Sequence, residues 1–262
     1  MGERAAAARG WAVLSAVVPA LVLAATACGG GGGGGRSPAA PSPGSAGRPA
    51  EAAGPPVPTA ERLEEAALRD GARIGGPGGT YEIGVPLLEG PSEDFLEYRA
   101  DRAVCQPLVS LARGATGEDP AAEVNREAVL GEGIGQRQVS VQLRSYGSGG
   151  AARVLAALRE AGTACAGGFV EERGVAEARY RSVEPLEAPD LGDEAVAYRL
   201  RIEDVKDREL VLTEYLTVVR SGATTLSFRL EAFSLDDPGG VPRELVAAQW
   251  DAFTRAGAGP GA

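Results

Sequence analysis

The chain has 262 residues, 26 basic and 36 acidic side chains, a formal net charge of −10 and no histidine. The missing imidazole excludes Ser-His-Asp and Cys-His triads, His-ligated zinc and the commonest general base. The acidic balance argues against nucleic acid and against a basic patch for anionic lipid, and it suits solubility outside a cell.

The first residues read as an address. Arg4 and Arg9 precede an uncharged stretch, residues 11–27, in which Val13, Leu14, Val17, Val18, Leu21, Val22 and Leu23 are apolar. Ala24, Ala25, Thr26 and Ala27 then lead to Cys28. A basic opening, a short apolar run and a small-residue exit make a secretory signal over residues 1–27. A spanning helix would need about 20 apolar residues, and Pro19 interrupts this run. Ala25-Thr26-Ala27-Cys28 resembles the bacterial lipobox, with Ala25 where leucine is usual. That resemblance implies that the Cys28 thiol carries diacylglycerol and becomes the N-terminus, placing the chain on the outer face of the cell membrane. The alternative is an ordinary signal peptide followed by a chance cysteine. Loss of Glu3, Arg4 and Arg9 with the leader takes the net charge from −10 to −11.

Residues 28–59 begin with glycines 29–35 and continue rich in Pro, Ala, Ser and Gly. Such a segment buries too little apolar surface to order itself. As a random coil, thirty residues span roughly 30 Å, enough for a tether. Residues 60–256 form one ordinary domain, and 257–262 are a disordered tail.

Within that domain, residues 61–70 carry Leu63, Ala66, Ala67 and Leu68 at helical spacing. Glycines 75, 76, 78 and 79 make a turn around Pro77, and Tyr81, Ile83 and Val85 alternate as a strand. Residues 101–113 read as a helix through Val104, Cys105, Leu108, Val109 and Ala112, started or kinked at Pro107. Residues 138–146 alternate: Val139, Val141 and Leu143 point one way, Gln138, Ser140, Gln142 and Arg144 the other, a strand with one wet face. Residues 151–161 are a helix on Val154, Leu155 and Leu158. Strands follow at 168–172, 178–184, 194–203, 210–220 and 224–233, the last two joined by Ser221-Gly222. A final helix, residues 241–256, carries Leu245, Val246, Gln249, Trp250 and Phe253 on one stripe. Strands linked by short turns, with helices segregated, indicate an α+β fold: a twisted antiparallel β-sheet flanked by helices.

With Cys28 consumed by lipid, Cys105 and Cys165 remain as an even pair in an oxidising compartment and are expected to form one disulfide. Closing a loop of about 60 residues contributes about 4 kcal/mol in the chain-entropy model. A redox-active pair would show close C-x-x-C spacing instead.

Several motifs have residue types that could carry chemistry. Gly147-Ser148-Gly149-Gly150-Ala151-Ala152 fits G-x-G-x-x-G/A, with Glu171 and Glu172 about 20 residues on. Its preceding strand has one wet face, the following strands read as hairpins, and an exported chain meets little soluble dinucleotide, so a glycine turn into a helix is the expected role. Gly131-Glu132-Gly133-Ile134-Gly135 opens no helix and reads as a loop. Lys206, the one lysine, lies in a charged turn unsuited to a Ser-Lys dyad. Asp190, Asp193 and Glu194, or Asp236 and Asp237, could offer oxygens to calcium, but they lack EF-hand spacing. No cofactor, metal or catalytic residue is expected.

Arg102-Ala103-Val104-Cys105-Gln106-Pro107-Leu108, Ala164-Cys165, Leu191-Gly192-Asp193-Glu194-Ala195, the hairpin Leu216-Thr217-Val218-Val219-Arg220-Ser221-Gly222 and Val241-Pro242-Arg243-Glu244-Leu245-Val246 follow one another along the domain. In that order and spacing the domain resembles the sensor-domain family typified by the extracellular domain of PknH-type Ser/Thr protein kinases and its free lipoprotein relatives. The resemblance implies a twisted antiparallel sheet flanked by helices, with a ligand-binding cleft. It departs in lacking the second disulfide and any kinase or transmembrane segment.

The function expected is a non-catalytic, lipid-anchored binding or sensor-like module for a small molecule or cell-wall component. The alternatives are a lipoprotein that docks an envelope protein without a small ligand, and a His-independent envelope hydrolase. A binding module should show a concave cavity with convergent polar groups, a docking protein a broad apolar patch, and a hydrolase a carboxylate of strongly shifted pKa in a cleft.

Overall fold

The structure is a computed structural model, and it describes residues 57–76, 78–86, 98–131, 136–173, 176–204, 207–231 and 237–257. Cys28, the signal segment, most of the tether and Lys206 lie outside the described residues. Among these residues no helix is long and apolar enough to cross a membrane.

The described residues form ten strands, β1 Arg73–Gly76, β2 Gly79–Gly84, β3 Tyr98–Ala100, β4 Pro120–Leu130, β5 Arg137–Tyr146, β6 Phe169–Arg173, β7 Ala176–Pro185, β8 Glu194–Glu203, β9 Val211–Ser221 and β10 Thr224–Glu231. They form one sheet of order β1-β2-β4-β5-β10-β9-β8-β7-β6-β3. Every pairing is antiparallel. The helices are α1 Ala60–Ala66, α2 Gln106–Val109, α3 Gly150–Ala164 and α4 Arg243–Arg255, with a 3-10 turn at Ala103–Cys105. The α+β class and the antiparallel sheet expected from the sequence are therefore present.

Three local readings change. Helix α1 stops at Ala66 instead of reaching residue 70. Buried Gln249 of α4 explains the stop: its Nε2 donates to the Ala66 carbonyl at 2.8 Å, and its Oε1 accepts from the Leu68 amide at 3.0 Å. The groups that would extend α1 are thus satisfied across the interface.

The helix expected over residues 101–113 is reduced to the 3-10 turn and the single turn α2, after which Ser110 is extended. Arg229 accounts for this, because its Nη2 donates to the Leu108 and Val109 carbonyls, the latter at 3.2 Å. Those oxygens would otherwise accept from residues 112 and 113.

Strand β4 has no counterpart in the sequence reading. Its inward positions include Val124, Arg126 and Ala128, so a buried arginine interrupts the apolar alternation. Arg126 tolerates burial because its Nε donates to the Leu68 carbonyl at 2.8 Å and its Nη2 binds Glu64 of α1.

Pleating divides the core in two. Tyr215 and Val219 of β9 join Val139, Val141, Leu143, Leu226, Phe228 and Leu230, packed by Leu63 of α1 and Leu245 and Phe253 of α4. Leu216 and Val218, on the other face of β9, join Val154, Leu155 and Leu158 of α3 with Cys105, Leu108 and Cys165.

Cys105 and Cys165 are disulfide-bonded, with Cα atoms 6.0 Å apart, tying the 3-10 turn to the end of α3. The glycine-rich turn enters α3 as expected. Gly149 takes φ +69°, and a Cβ on Gly150 would lie 2.8 Å from that of Tyr146. The preceding strand β5 is antiparallel to both neighbours, unlike the parallel strand of a dinucleotide fold. The Arg153 Nε and Nη2 donate to Glu118 across this turn, so its nearest charge is already neutralised.

Candidate functional site: a polar-floored cleft

The face of the sheet that carries α3 is not covered uniformly. Helix α3 packs chiefly over β7, β8 and β9 and touches β5 only marginally, leaving β10 and most of β5 open beside it. A cleft of about 1160 Å³ occupies that space. Its floor is the shared face of the even-numbered positions of β5 and the odd-numbered positions of β10, with Ser140, Gln142 and Arg144 of β5 and Ser227, Arg229 and Glu231 of β10. Residues 98–101, the 3-10 turn, α2 and the loop 110–117 wall it. The wet face of residues 138–146 read from the sequence is this floor, and it faces the cleft instead of bulk solvent.

One end of the floor is a buried ionic cluster. Glu171 of β6 and Glu214 of β9 are 3% and 7% exposed. Arg229 Nη1 donates to Glu214 Oε2 at 2.9 Å. Tyr180 Oη donates to Glu171 Oε2 at 2.8 Å and lies 3.5 Å from Glu214 Oε2. Arg173 donates through Nε and Nη2 to the two Glu171 oxygens at 3.0 and 3.1 Å, and its Nη2 is 3.9 Å from Glu214 Oε1. The Arg173 guanidinium also lies over the Tyr98 ring, 5.5 Å from its centroid. Through Arg229 and the α2 carbonyls, this cluster joins floor to wall.

Burial governs its ionisation. Desolvation pushes the Glu214 carboxyl up to about 7, and Glu231 and Glu171 add to the rise, while Arg229 and Arg173 oppose it. Desolvation also drives the Tyr180 phenol well above its ordinary value, helped by Glu214 and Glu171. Burial opposes the Arg229 charge, but Glu214 chiefly holds it above the usual arginine value.

Along β5, beyond Gln142, Arg144, 1% exposed, is also fully engaged. Its Nε and Nη2 donate to the Glu123 oxygens at 2.7 and 3.2 Å, and its Nη1 donates to Gln142 Oε1 at 2.8 Å.

Asp193, Glu194 and Asp237 of the acidic turns are engaged by protein groups, and Asp236 lies outside the described residues. Asp193 Oδ2 accepts from Arg220 Nη1 at 2.8 Å and from the Gly222 amide at 2.7 Å. Glu194 is paired with Arg220 and Arg159, both at 2.5 Å. Asp237 accepts from Tyr215 and from the Gly239 amide. Among the described residues no group of three or more metal-ligating side chains comes together.

Sequence reasoning thus located the disulfide and the floor strand but not Glu171, Arg173, Tyr180, Glu214 and Arg229. A signal existed: Glu214 and Arg229 are lone opposite charges inside apolar strands of one hairpin. The register set by that hairpin pairs Arg229 with Leu216 and Glu231 with Glu214, which makes Arg229 and Glu214 diagonal neighbours.

No protein-family model matches the chain, and no curated protein does. Solved structures are similar to it, among them two mycobacterial ones. The extracellular domain of PknH from Mycobacterium tuberculosis is 9% identical with a TM-score of 0.48, covering 78% of this chain and 98% of that one. An uncharacterized protein of Mycobacterium smegmatis, the Rv0999 ortholog, is 15% identical with a TM-score of 0.34, covering 70% and 89%.

Proposed function

We propose that the chain is a non-catalytic, extracytoplasmic binding module, held at a membrane by lipid on Cys28 and presenting the cleft to a ligand of the cell envelope. The observation that carries this reading is the cleft itself, about 1160 Å³ with polar side chains of β5 and β10 converging on it. Large clefts with a few placed polar groups are where ligands bind. The disulfide supports an oxidising compartment. The docking alternative calls for a broad apolar patch, whereas the exposed large apolar side chains among the described residues are Val57, Val85 and Leu210, in three separate segments.

One observation favours a hydrolase: Glu214, with its raised pKa, shares the cleft with Glu171. The geometry weighs against it. Both Glu171 oxygens accept from Arg173 and one also from Tyr180, while Glu214 Oε2 takes Arg229 and Tyr180. Carboxylates so occupied are poor candidates to exchange a proton with a substrate.

The test is mass spectrometry of small molecules that co-purify with the protein from its own envelope. A specific ligand retained by the wild type and lost from Ser227→Trp, which fills the floor, is expected. Repeated recovery of ligand-free protein would count against the binding module.

A further inference from the structure

We propose that the cleft takes an uncharged, hydroxyl-rich chain, of the class of neutral oligosaccharides, held by Ser140, Gln142 and Ser227; this rests on the binding-module reading above. The charged groups of the floor other than Glu231 are already spent on one another. Arg144 is bound by Glu123 and Gln142, Arg229 by Glu214 and the α2 carbonyls, and Arg173 by Glu171. A charged ligand would have to break these pairs in a buried setting, which is costly.

What remains unspent is neutral. The Ser140 hydroxyl makes no hydrogen bond among the described residues, and Gln142 uses its Oε1 on Arg144 while its Nε2 donates to no described group. The Ser227 hydroxyl has only two long hydrogen bonds among the described residues, both at 3.5 Å, one from Arg144 and one to the Gln142 carbonyl. Hydroxyls and amides both donate and accept, as a sugar hydroxyl does.

These three groups form one patch. Gln142 and Ser227 are direct cross-strand partners, about 5 Å apart, and Ser140 lies one pleat repeat, about 7 Å, along β5. Hydroxyls recur at comparable intervals along a pyranose chain. The cleft, at about 1160 Å³, also exceeds the roughly 300–1000 Å³ of small-molecule pockets, which favours an oligomer over a single small metabolite. Four lining charges have no ion pair among the described residues, and none lies beside Gln142: Arg113 donates to the Pro120 carbonyl opposite Tyr146, Glu231 pairs with Gln138 at the other end of the floor, and Asp101, which accepts from the Val170 amide, and Glu160 belong to the walls.

The experiment uses the full-length lipidated chain in a zwitterionic detergent. It is probed on an array of neutral hexose and N-acetylhexosamine oligomers beside uronate-containing glycans, phosphorylated glycans and acidic and basic peptides. Neutral oligomers should bind, with affinity unchanged from about 0.05 to about 0.5 M salt, because no exposed charge pairing is involved. Gln142→Ala and Ser140→Ala/Ser227→Ala should each weaken binding about tenfold, as loss of one or two ligand hydrogen bonds implies. Gln142→Glu, which keeps the acceptor for Arg144 but removes the free donors, should weaken it similarly with an unchanged melting transition.

Cleft binding confined to charged glycans or peptides would overturn the ligand class and leave the binding module standing. So would full affinity in the Gln142→Glu and double-serine variants. Failure of every probe to bind would sink both.

Discussion

Replacing Glu214 by glutamine should remove a measurable pH dependence from the stability of the domain. The Glu214 carboxyl is raised from 4.5 to about 7 by burial. Between those values the folded chain holds a proton that the unfolded chain has lost, so unfolding free energy falls as pH rises through the window. At 1.36 kcal/mol per pKa unit, the full cost of ionising it is about 3 kcal/mol, reached above about pH 7. Glutamine stands in for the protonated acid, so Glu214→Gln should match the wild type near pH 5 and exceed its stability by up to about 3 kcal/mol near pH 8. The carboxylates held low by arginine hydrogen bonds, such as Glu118 and Glu184, lose their contribution at more acid pH, and they do so equally in both proteins. Urea unfolding across this range at constant ionic strength reads the difference. Parallel pH profiles for the two proteins, or a wild type that gains on the variant as pH rises from 5 to 8, would refute the reasoning.

Other expectations bear on the frame around the cleft. Cys105→Ser/Cys165→Ser should cost about 4 kcal/mol in chemical denaturation, since the bridge spans 60 residues of chain; an unchanged midpoint would contradict a structural disulfide. Gly168 holds φ +92°, and a Cβ there would lie 2.1 Å from the Tyr180 carbonyl oxygen. Gly168→Ala should therefore lower stability by about 2 kcal/mol or more by thermal unfolding, and a neutral effect would mean that β6 and β7 pack differently. Cys28→Ser should move the protein from the membrane fraction to the soluble fraction; continued membrane retention would remove the lipid-anchor proposal.

What could be read in the sequence follows from how each element is stabilised. Strand β8 matches its expected span because Val196, Tyr198, Leu200 and Ile202 bury one side and, past the small buried Ala197, the alternation holds to Glu203. The hairpin of β9 and β10 was marked by its Ser221-Gly222 turn, with Gly222 at φ +56°. Long-range polar contacts defeat the same reasoning. Arg126 reads as a surface charge until Leu68 and Glu64, about 60 positions away, are seen to receive it. Residues 101–113 have helical periodicity, yet Arg229, 120 positions on, takes the carbonyls a longer helix would need. The floor of the cleft was half legible. The polar side of β5 was evident, but what lies over it depends on the disulfide, the wall and the placement of α3, none of which leaves a periodic trace.

The most direct test of the cleft as a ligand site is amide hydrogen exchange of the full chain with and without its own envelope extract. Slowed exchange confined to α2, the loop 110–117 and the facing parts of β5 and β10 is expected, with α1 and α4 on the opposite face unchanged. Protection on the α1 and α4 face, or identical exchange under both conditions, would contradict it.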